Sequence, residues 1–159
     1  MNTYRKLIFK LVALIMMMSL LPELNAQVMN PVKWSFSIKR ISNSDSELVL
    51  SATIDKGWHL YSQDIPEGGP VATIFTFDKG TGFFLIGKVM EPKAIEVFDK
   101  QFKMKVKYFT EKVEFRQKVK IMSDKQVVLK GSLEFMCCND ENCLPPTEVS
   151  FEFKLPPSK

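Results

Sequence analysis

The sequence has 159 residues, a formal net charge of +4, three cysteines and one histidine. Its Lys and Arg residues are spread along the chain and form no dense block, which argues against a nucleic-acid partner. A His-rich metal site or a Ser-His-Asp triad would have to use the single histidine, His59, so both are poor candidates. The length suits one domain with its own hydrophobic core.

Residues 1–26 have the three parts of a secretory signal peptide. Three basic residues within the first ten positions precede an apolar run at residues 11–21, and the segment ends on the small residue Ala26. The apolar run is too short for a transmembrane helix, which needs about 20 residues. We therefore expect export, cleavage after Ala26 and no membrane span in the mature chain, residues 27–159. Cleavage lowers the formal net charge to about +2, because the removed segment carries three basic residues and one acidic residue.

Period-two alternation of apolar and polar residues dominates the mature chain. In chain order, the alternating runs begin at Trp34, Leu48, Val113, Leu129 and Val149. Such runs are typical of half-buried β-strands with one wet face. Turn-forming segments separate them at residues 43–45, 55–57, 66–70, 78–80 and 123–125. Because many short strands with frequent turns favour a sandwich or barrel, we predict a single all-β domain with little helix.

All three cysteines fall within seven residues, in a segment between two predicted strands. A disulfide that closes so short a loop contributes little stability by restricting the unfolded chain, so the clustering indicates chemistry rather than stapling. The turn-forming residues 139–142 can bring Cys138 and Cys143 to bonding distance. Adjacent Cys137 and Cys138 instead point to opposite faces of a strand. We therefore predict a disulfide between Cys138 and Cys143, with Cys137 unpaired.

The residues between the two paired cysteines indicate a direction for the chemistry. Asp140 and Glu141 lie there, and negative neighbours oppose a thiolate. Because strongly oxidising couples owe their potential to a stabilised reduced form, this pair suits a reductant or an electron carrier. Three alternatives stay open: an inert structural disulfide, a zinc site, and a copper(I) site that uses Met136 with the thiols. A Cys-Cys-x4-Cys spacing with one histidine is a poor zinc pattern, and Met136 follows the core-like Phe135.

Two segments resemble a known family. Residues 138–148 (CNDENCLPPTE) resemble the redox motif of the N-terminal periplasmic domain of the DsbD protein-disulfide reductases, and residues 55–63 (DKGWHLYSQ) resemble an aromatic hairpin near that family's active site. The resemblance covers about residues 30–155. It implies an immunoglobulin-like β-sandwich that needs no cofactor and relays electrons from a thioredoxin-like donor to periplasmic thiol–disulfide proteins.

The resemblance also implies roles for individual residues. Cys143, just before Leu-Pro-Pro, matches the cysteine that forms mixed disulfides with partners, and Cys138 matches the one that resolves them. A cap loop shields the pair in that family; its phenylalanine corresponds to Phe102, with Phe98 as the second choice, although either could be an ordinary core aromatic. The other residues expected around the site are His59, Tyr61, Asp140 and Glu141. His59 could equally be a strand residue with a satisfied ring.

The sequence departs from the family pattern in two respects. The four-residue spacer between the cysteines is shorter by one than in some members, and Cys137 is an additional thiol. Counting from Cys137 restores the longer spacing, so a Cys137–Cys143 bond is the alternative pairing. The sequence also lacks a transmembrane electron-transfer segment and a thioredoxin-like domain after the sandwich, so we expect a separate protein as reductant. The alternative function is an immunoglobulin-like binding or structural module with an inert disulfide.

Overall fold

The structure, a computed structural model, describes residues 29–158 together with residues 4, 8 and 10. Apart from those three residues, the predicted signal peptide lies outside the described part of the chain, as does its cleavage point at Ala26. Residues 29–158 contain eleven β-strands and no helix, as the alternation predicts. The strands are β1 (Val32–Arg40), β2 (Asp45–Ile54), β3 (His59–Tyr61), β4 (Ile74–Phe77), β5 (Phe83–Met90), β6 (Ile95–Asp99), β7 (Met104–Phe109), β8 (Lys112–Ile121), β9 (Val127–Phe135), β10 (Cys137–Cys138) and β11 (Thr147–Leu155). Within the described residues no helix has the length and apolar character needed to cross a membrane.

Three antiparallel sheets make up an immunoglobulin-like sandwich. The first has the strand order β1-β2-β8-β5, the second β10-β3-β7-β6, and the third β11-β9-β4. The first and third sheets face each other, and aromatic side chains interlock between them. Trp34 on β1, for example, packs edge-on against Phe75 on β4 at 6.1 Å and against Phe135 on β9 at 5.6 Å between ring centroids. The predicted all-β sandwich is therefore confirmed.

The main core lies between these two sheets, and we call it the large core. Its fully buried members come from alternating positions of the long strands, such as Leu48, Leu50 and Ala52 on β2. Alternation of this kind arises because successive side chains on a strand point to opposite faces. Burying this apolar surface is the main driving force for folding, at about 25 cal/mol per Å² removed from water.

The hairpin of β9 and β11 positions the cysteine segment. These two strands pair along their whole length, from Thr147 opposite Phe135 to Leu155 opposite Val127. Residues 136–146 therefore leave the hairpin at one end as a long connection. The short strand β10 forms immediately after β9 and pairs with β3 of the second sheet. The three cysteines thus lie where the third sheet passes into the second.

Candidate redox site

Cys138 and Cys143 form a disulfide in the connection between β9 and β11. The Asn139 side chain shapes this loop: its Oδ1 accepts hydrogen bonds of 2.9 and 2.6 Å from the backbone N–H groups two and three residues further on. Its backbone N–H also donates to the Asn142 carbonyl at 2.9 Å. Asn is favoured in turns because its side chain makes such local bonds. The pairing predicted from the turn-forming residues is the pairing that the structure has.

Cys137 faces away from the disulfide. On β10, Cys137 pairs opposite Leu60 and contributes to the large core, whereas Cys138 pairs opposite His59 and faces the other way. Cys137 is buried, and this burial raises the pKa of its thiol to about 11. The thiol is therefore protonated at neutral pH and is a poor nucleophile, because the thiolate is the reactive form. Cys137 is the one cysteine of the described residues that is not in a disulfide.

A small hydrophobic group surrounds the disulfide, and we call it the site cluster. Tyr61, Val106 and Cys138 are its buried members. Half-buried side chains pack around them: Ile65, Val97, Phe102, Met104, Tyr108, Met136 and Cys143. Met136 thus takes part in packing beside the disulfide. Across the described residues, no group of three or more His, Cys, Asp or Glu side chains is placed to hold a metal ion.

One carboxylate holds the loop between β6 and β7, residues 100–103, against the site cluster. Asp99 Oδ1 accepts hydrogen bonds from the backbone N–H groups of Gln101 at 2.8 Å and Phe102 at 3.1 Å. Asp99 Oδ2 accepts one from the Tyr61 hydroxyl at 2.9 Å. The Phe102 ring then lies nearly perpendicular to the Tyr61 ring, with centroids 6.1 Å apart. Asp99 therefore ties this loop to β3 beside the disulfide.

His59 and Tyr61 form a polar pair next to Asp99. His59 Nε2 lies 3.2 Å from the Tyr61 hydroxyl, and the His59 ring stacks on Tyr108 at 4.5 Å between centroids. Burial raises the pKa of Tyr61, and its hydrogen bond to Asp99 raises it further. Burial lowers the pKa of His59, and the charges of Asp99 and Asp140 oppose that shift. Because the Tyr61 hydroxyl donates to Asp99, its oxygen is free to accept from His59 Nε2–H.

The two phenylalanines considered for the cap lie in different surroundings. Phe102 packs in the site cluster, whereas Phe98 on β6 is 63% exposed and stays outside it. Phe98 instead lines an open pocket of about 460 Å³, together with His59 and Asp140. Asp140 and Glu141 are both exposed on the cysteine loop. Of the residues expected around the site, Tyr61, His59 and Phe102 lie within or against the cluster, and the two acidic residues lie at its outer edge.

Gln101 contacts the disulfide directly, which the sequence does not reveal. Its side-chain Oε1 lies 3.0 Å from Cys143 Sγ, and its Nε2 donates to the Asn139 carbonyl at 3.3 Å. These residues are about forty positions apart in the chain. Its place beside Phe102 in the expected cap segment is the only sequence signal that could have drawn attention to it. The linking role of Asp99 was likewise not predicted.

A family model described as thiol:disulfide interchange protein DsbD, N-terminal, matches residues 25–155 of this chain. The chain belongs to this family. The family resemblance carried by the cysteine motif and the aromatic hairpin is therefore confirmed. Thiol–disulfide oxidoreductase chemistry fits both this family membership and the disulfide between Cys138 and Cys143.

Two solved structures share the fold. The N-terminal periplasmic domain of ScsB from Proteus mirabilis superposes with a TM-score of 0.60 at 19% identity, covering 84% of this chain and 51% of that one. The reduced DsbD N-terminal domain of Neisseria meningitidis gives a TM-score of 0.54 at 14% identity, covering 87% and 92%. This chain therefore spans about half the length of the ScsB domain that it matches. The comparison with curated proteins found no match.

Proposed function

We propose that this chain is an exported thiol–disulfide exchange protein that relays electrons through the Cys138–Cys143 pair. Its donor is a thioredoxin-like protein, its acceptors are disulfides of periplasmic proteins, and it acts in the periplasm. Family membership supports the chemistry, and the signal-like residues 1–26 support the location. The observation that carries the proposal is the unequal exposure of the disulfide: Cys138 is 1% exposed, whereas Cys143 is only half-buried.

This asymmetry supports distinct roles for the two sulfur atoms. Exchange begins when a thiolate attacks one sulfur of a disulfide, so a partner attacks the sulfur of Cys143, the more exposed of the two residues. A donor thiolate attacks Cys143 Sγ, the bond between the two cysteines breaks, and Cys138 leaves as a thiolate that takes up a proton. The second donor thiol then attacks the donor sulfur of the mixed disulfide and releases Cys143. In total, two electrons and two protons pass from the donor dithiol to the pair.

The second half of the cycle runs in the opposite sense. Reduced Cys143 attacks the disulfide of an acceptor protein and forms a mixed disulfide with it. Cys138 then attacks Cys143 Sγ, which restores the internal disulfide and releases the acceptor as a dithiol. The short loop that joins the two cysteines favours this step, because the resolving thiol is held close to the mixed disulfide.

Phe102 and its loop act as the cap over the pair. We define the cap loop as residues 100–103. Packing of Phe102 against Tyr61, with Cys138 in the same cluster, supports this assignment. A cap of this kind limits the access of oxidants and unrelated thiols to the pair until a partner displaces it.

Trapping of covalent complexes tests the proposal. The partner is a thioredoxin-like protein that lacks its resolving cysteine and carries a thionitrobenzoate leaving group on the remaining one. Cys138→Ser leaves Cys143 without a resolving partner, so we expect a mixed disulfide on a non-reducing gel that disappears on adding reductant. Cys143→Ser should trap little, because Cys138 is buried. Cys137→Ser should retain nearly full exchange, because that side chain faces the large core.

The outcomes separate the two candidate functions. Equal trapping by Cys138→Ser and Cys143→Ser would remove the role assignment while leaving exchange in place. No trapping by either variant with several thioredoxin-like partners would favour the binding or structural module with an inert disulfide. Peptide mapping of the oxidised protein provides the matched control, since it should show Cys138 bonded to Cys143.

A further inference from the structure

The Gln101 side chain bridges two segments that must separate when a partner binds. It belongs to the cap loop, and its amide group contacts both the Asn139 carbonyl and the Cys143 sulfur of the cysteine loop. Its backbone N–H is held by Asp99, which also binds Tyr61. Gln101 is exposed, so its side chain can swing into solvent without breaking the packing of the site cluster.

The neighbours of Gln101 fix which end of the amide faces the sulfur. The Asn139 carbonyl can only accept a hydrogen bond, so the NH₂ group of Gln101 must lie on that side. The reverse orientation would place two acceptor oxygens against each other. Gln101 therefore presents an acceptor oxygen, Oε1, to Cys143 Sγ at 3.0 Å.

The acceptor oxygen of Gln101 interacts differently with Cys143 in its three chemical states: disulfide, thiol and thiolate. In the disulfide, the sulfur has no proton, and the contact contributes no hydrogen bond. After reduction by a dithiol donor, which supplies two electrons and two protons, the Cys143 thiol can donate its proton to Oε1. In the thiolate, the lone pairs of Oε1 face a negative charge, which is unfavourable. Because the hydrogen bond to Oε1 exists only in the neutral thiol, it opposes ionisation of Cys143.

We propose that Gln101 latches the cap loop onto Cys143 and, while the loop is closed, keeps the reduced Cys143 in its protonated form. This inference rests on the proposed function, since it concerns the state that electron uptake produces. A partner that reaches Cys143 Sγ displaces Oε1 and so removes the acceptor. The Cys143 thiol then releases its proton to solvent, and the thiolate attacks the partner disulfide beside it. Without a bound partner, the reduced protein reacts slowly.

The pH dependence of Cys143 alkylation tests the latch. Reduced parent protein, Gln101→Leu and Gln101→Glu are treated with iodoacetamide from pH 6 to pH 11, and mass analysis quantifies the modified Cys143 peptide. Gln101→Leu removes the acceptor, so we expect the midpoint of its pH profile to fall by about one unit, which is about a tenfold change in the thiolate-to-thiol ratio. Gln101→Glu loses the hydrogen bond to the Asn139 carbonyl but leaves a carboxylate near the sulfur, and this negative charge opposes the thiolate, so its midpoint should rise.

The pair of variants separates the latch from simple shielding. If the side chain only shields Cys143, opening the loop raises the plateau rate at high pH for both variants and moves their midpoints in the same direction. If the side chain acts as the acceptor, the midpoint falls in Gln101→Leu, which has no acceptor, and rises in Gln101→Glu, which carries a negative charge. Unchanged midpoints, or shifts of one sign in both, would overturn the latch. Thermal unfolding of each variant checks that the fold is retained. Exchange with a thioredoxin-like donor is measured in parallel. If the parent exchanges but the midpoints of the two variants do not shift in opposite directions, the latch alone is rejected. If the midpoints shift in opposite directions but no exchange occurs, the relay alone is rejected.

Discussion

The large core and the site cluster are built from different kinds of interaction. The large core joins two sheets through apolar and aromatic side chains, with Phe115 in contact with the rings of Trp34, Phe75 and Phe109. The site cluster has only three buried members, and the loop closing it is held by hydrogen bonds that converge on Asp99. Stability and reactivity are therefore placed in separate parts of one small domain, so a loop can open at the site without disturbing the main core.

The largest expected effect is on stability and comes from truncating the large core. Phe115 is fully buried on β8, so Phe115→Ala should lower the free energy of unfolding by about 3–5 kcal/mol. Urea unfolding measures this change. In the folded fraction, alkylation of reduced Cys143 should keep the parent rate, because Phe115 lies in the other cluster. A changed alkylation rate under strongly native conditions would show that the two regions are coupled.

Truncating Phe102, the proposed cap residue, should change stability little and reactivity strongly, the opposite of Phe115→Ala. Phe102 is only half-buried, so Phe102→Ala should cost less than half the stability that Phe115→Ala costs. A bulky maleimide should nevertheless react several-fold faster with the reduced cysteine pair, because the ring no longer covers it. Rates equal to those of the parent, with the β-sheet signal retained, would mean that Phe102 is not the cap. A stability loss as large as that of Phe115→Ala would mark Phe102 as a core residue instead.

The smallest expected effect is a pH dependence that originates from His59. Burial lowers the pKa of His59 below its usual 6.5 in the folded protein. Well above pH 6.5, the His59 side chain is almost entirely neutral in both the folded and the unfolded state. As the pH falls below 6.5, the unfolded chain binds a proton that the folded protein does not, so the free energy of unfolding decreases until the pH passes the lower folded pKa.

His59→Phe isolates this contribution. The substitution keeps an aromatic ring against Tyr108 and removes the titrating group. Between pH 7.5 and pH 5.5 the variant should lose less stability than the parent in urea unfolding. Any constant offset from the lost contact with the Tyr61 hydroxyl cancels in this difference. Parallel curves for the two proteins would contradict the predicted protonation linkage.

Sequence patterns predicted the large core better than the site. On strands β1, β2, β8, β9 and β11, the side chains of one face are mostly more buried than those of the other, and this alternation is visible without coordinates. Edge strand β5 gave no such signal, because the side chains of Phe84, Leu85 and Ile86 are all exposed. Period two appears only where one face is buried.

At the site, local chemistry was predictable and long-range contacts were not. The turn after Cys138 encodes the pairing with Cys143, because both residues belong to one short loop. The resemblance favours Phe102 over Phe98 as the cap residue, but it does not reveal their surroundings: Phe102 packs in the site cluster, whereas Phe98, on β6 before the chain turns at Asp99, is exposed. Contacts such as that of Gln101 with Cys143 depend on how two distant hairpins meet, which no local pattern records.

The full-length pairing of β9 with β11 has a consequence for how the loop between them can vary. Adding or removing one residue within a strand would move every later side chain to the opposite face of the sheet. The same change within residues 139–142 affects the bridge between Cys138 and Cys143 but leaves the β9–β11 pairing in place, because the register from Thr147 opposite Phe135 onward is set by the hairpin itself. The length of the spacer between the cysteines can therefore change while the sandwich stays the same. Reactivity in this fold can be tuned one residue at a time, in a segment that the core does not constrain.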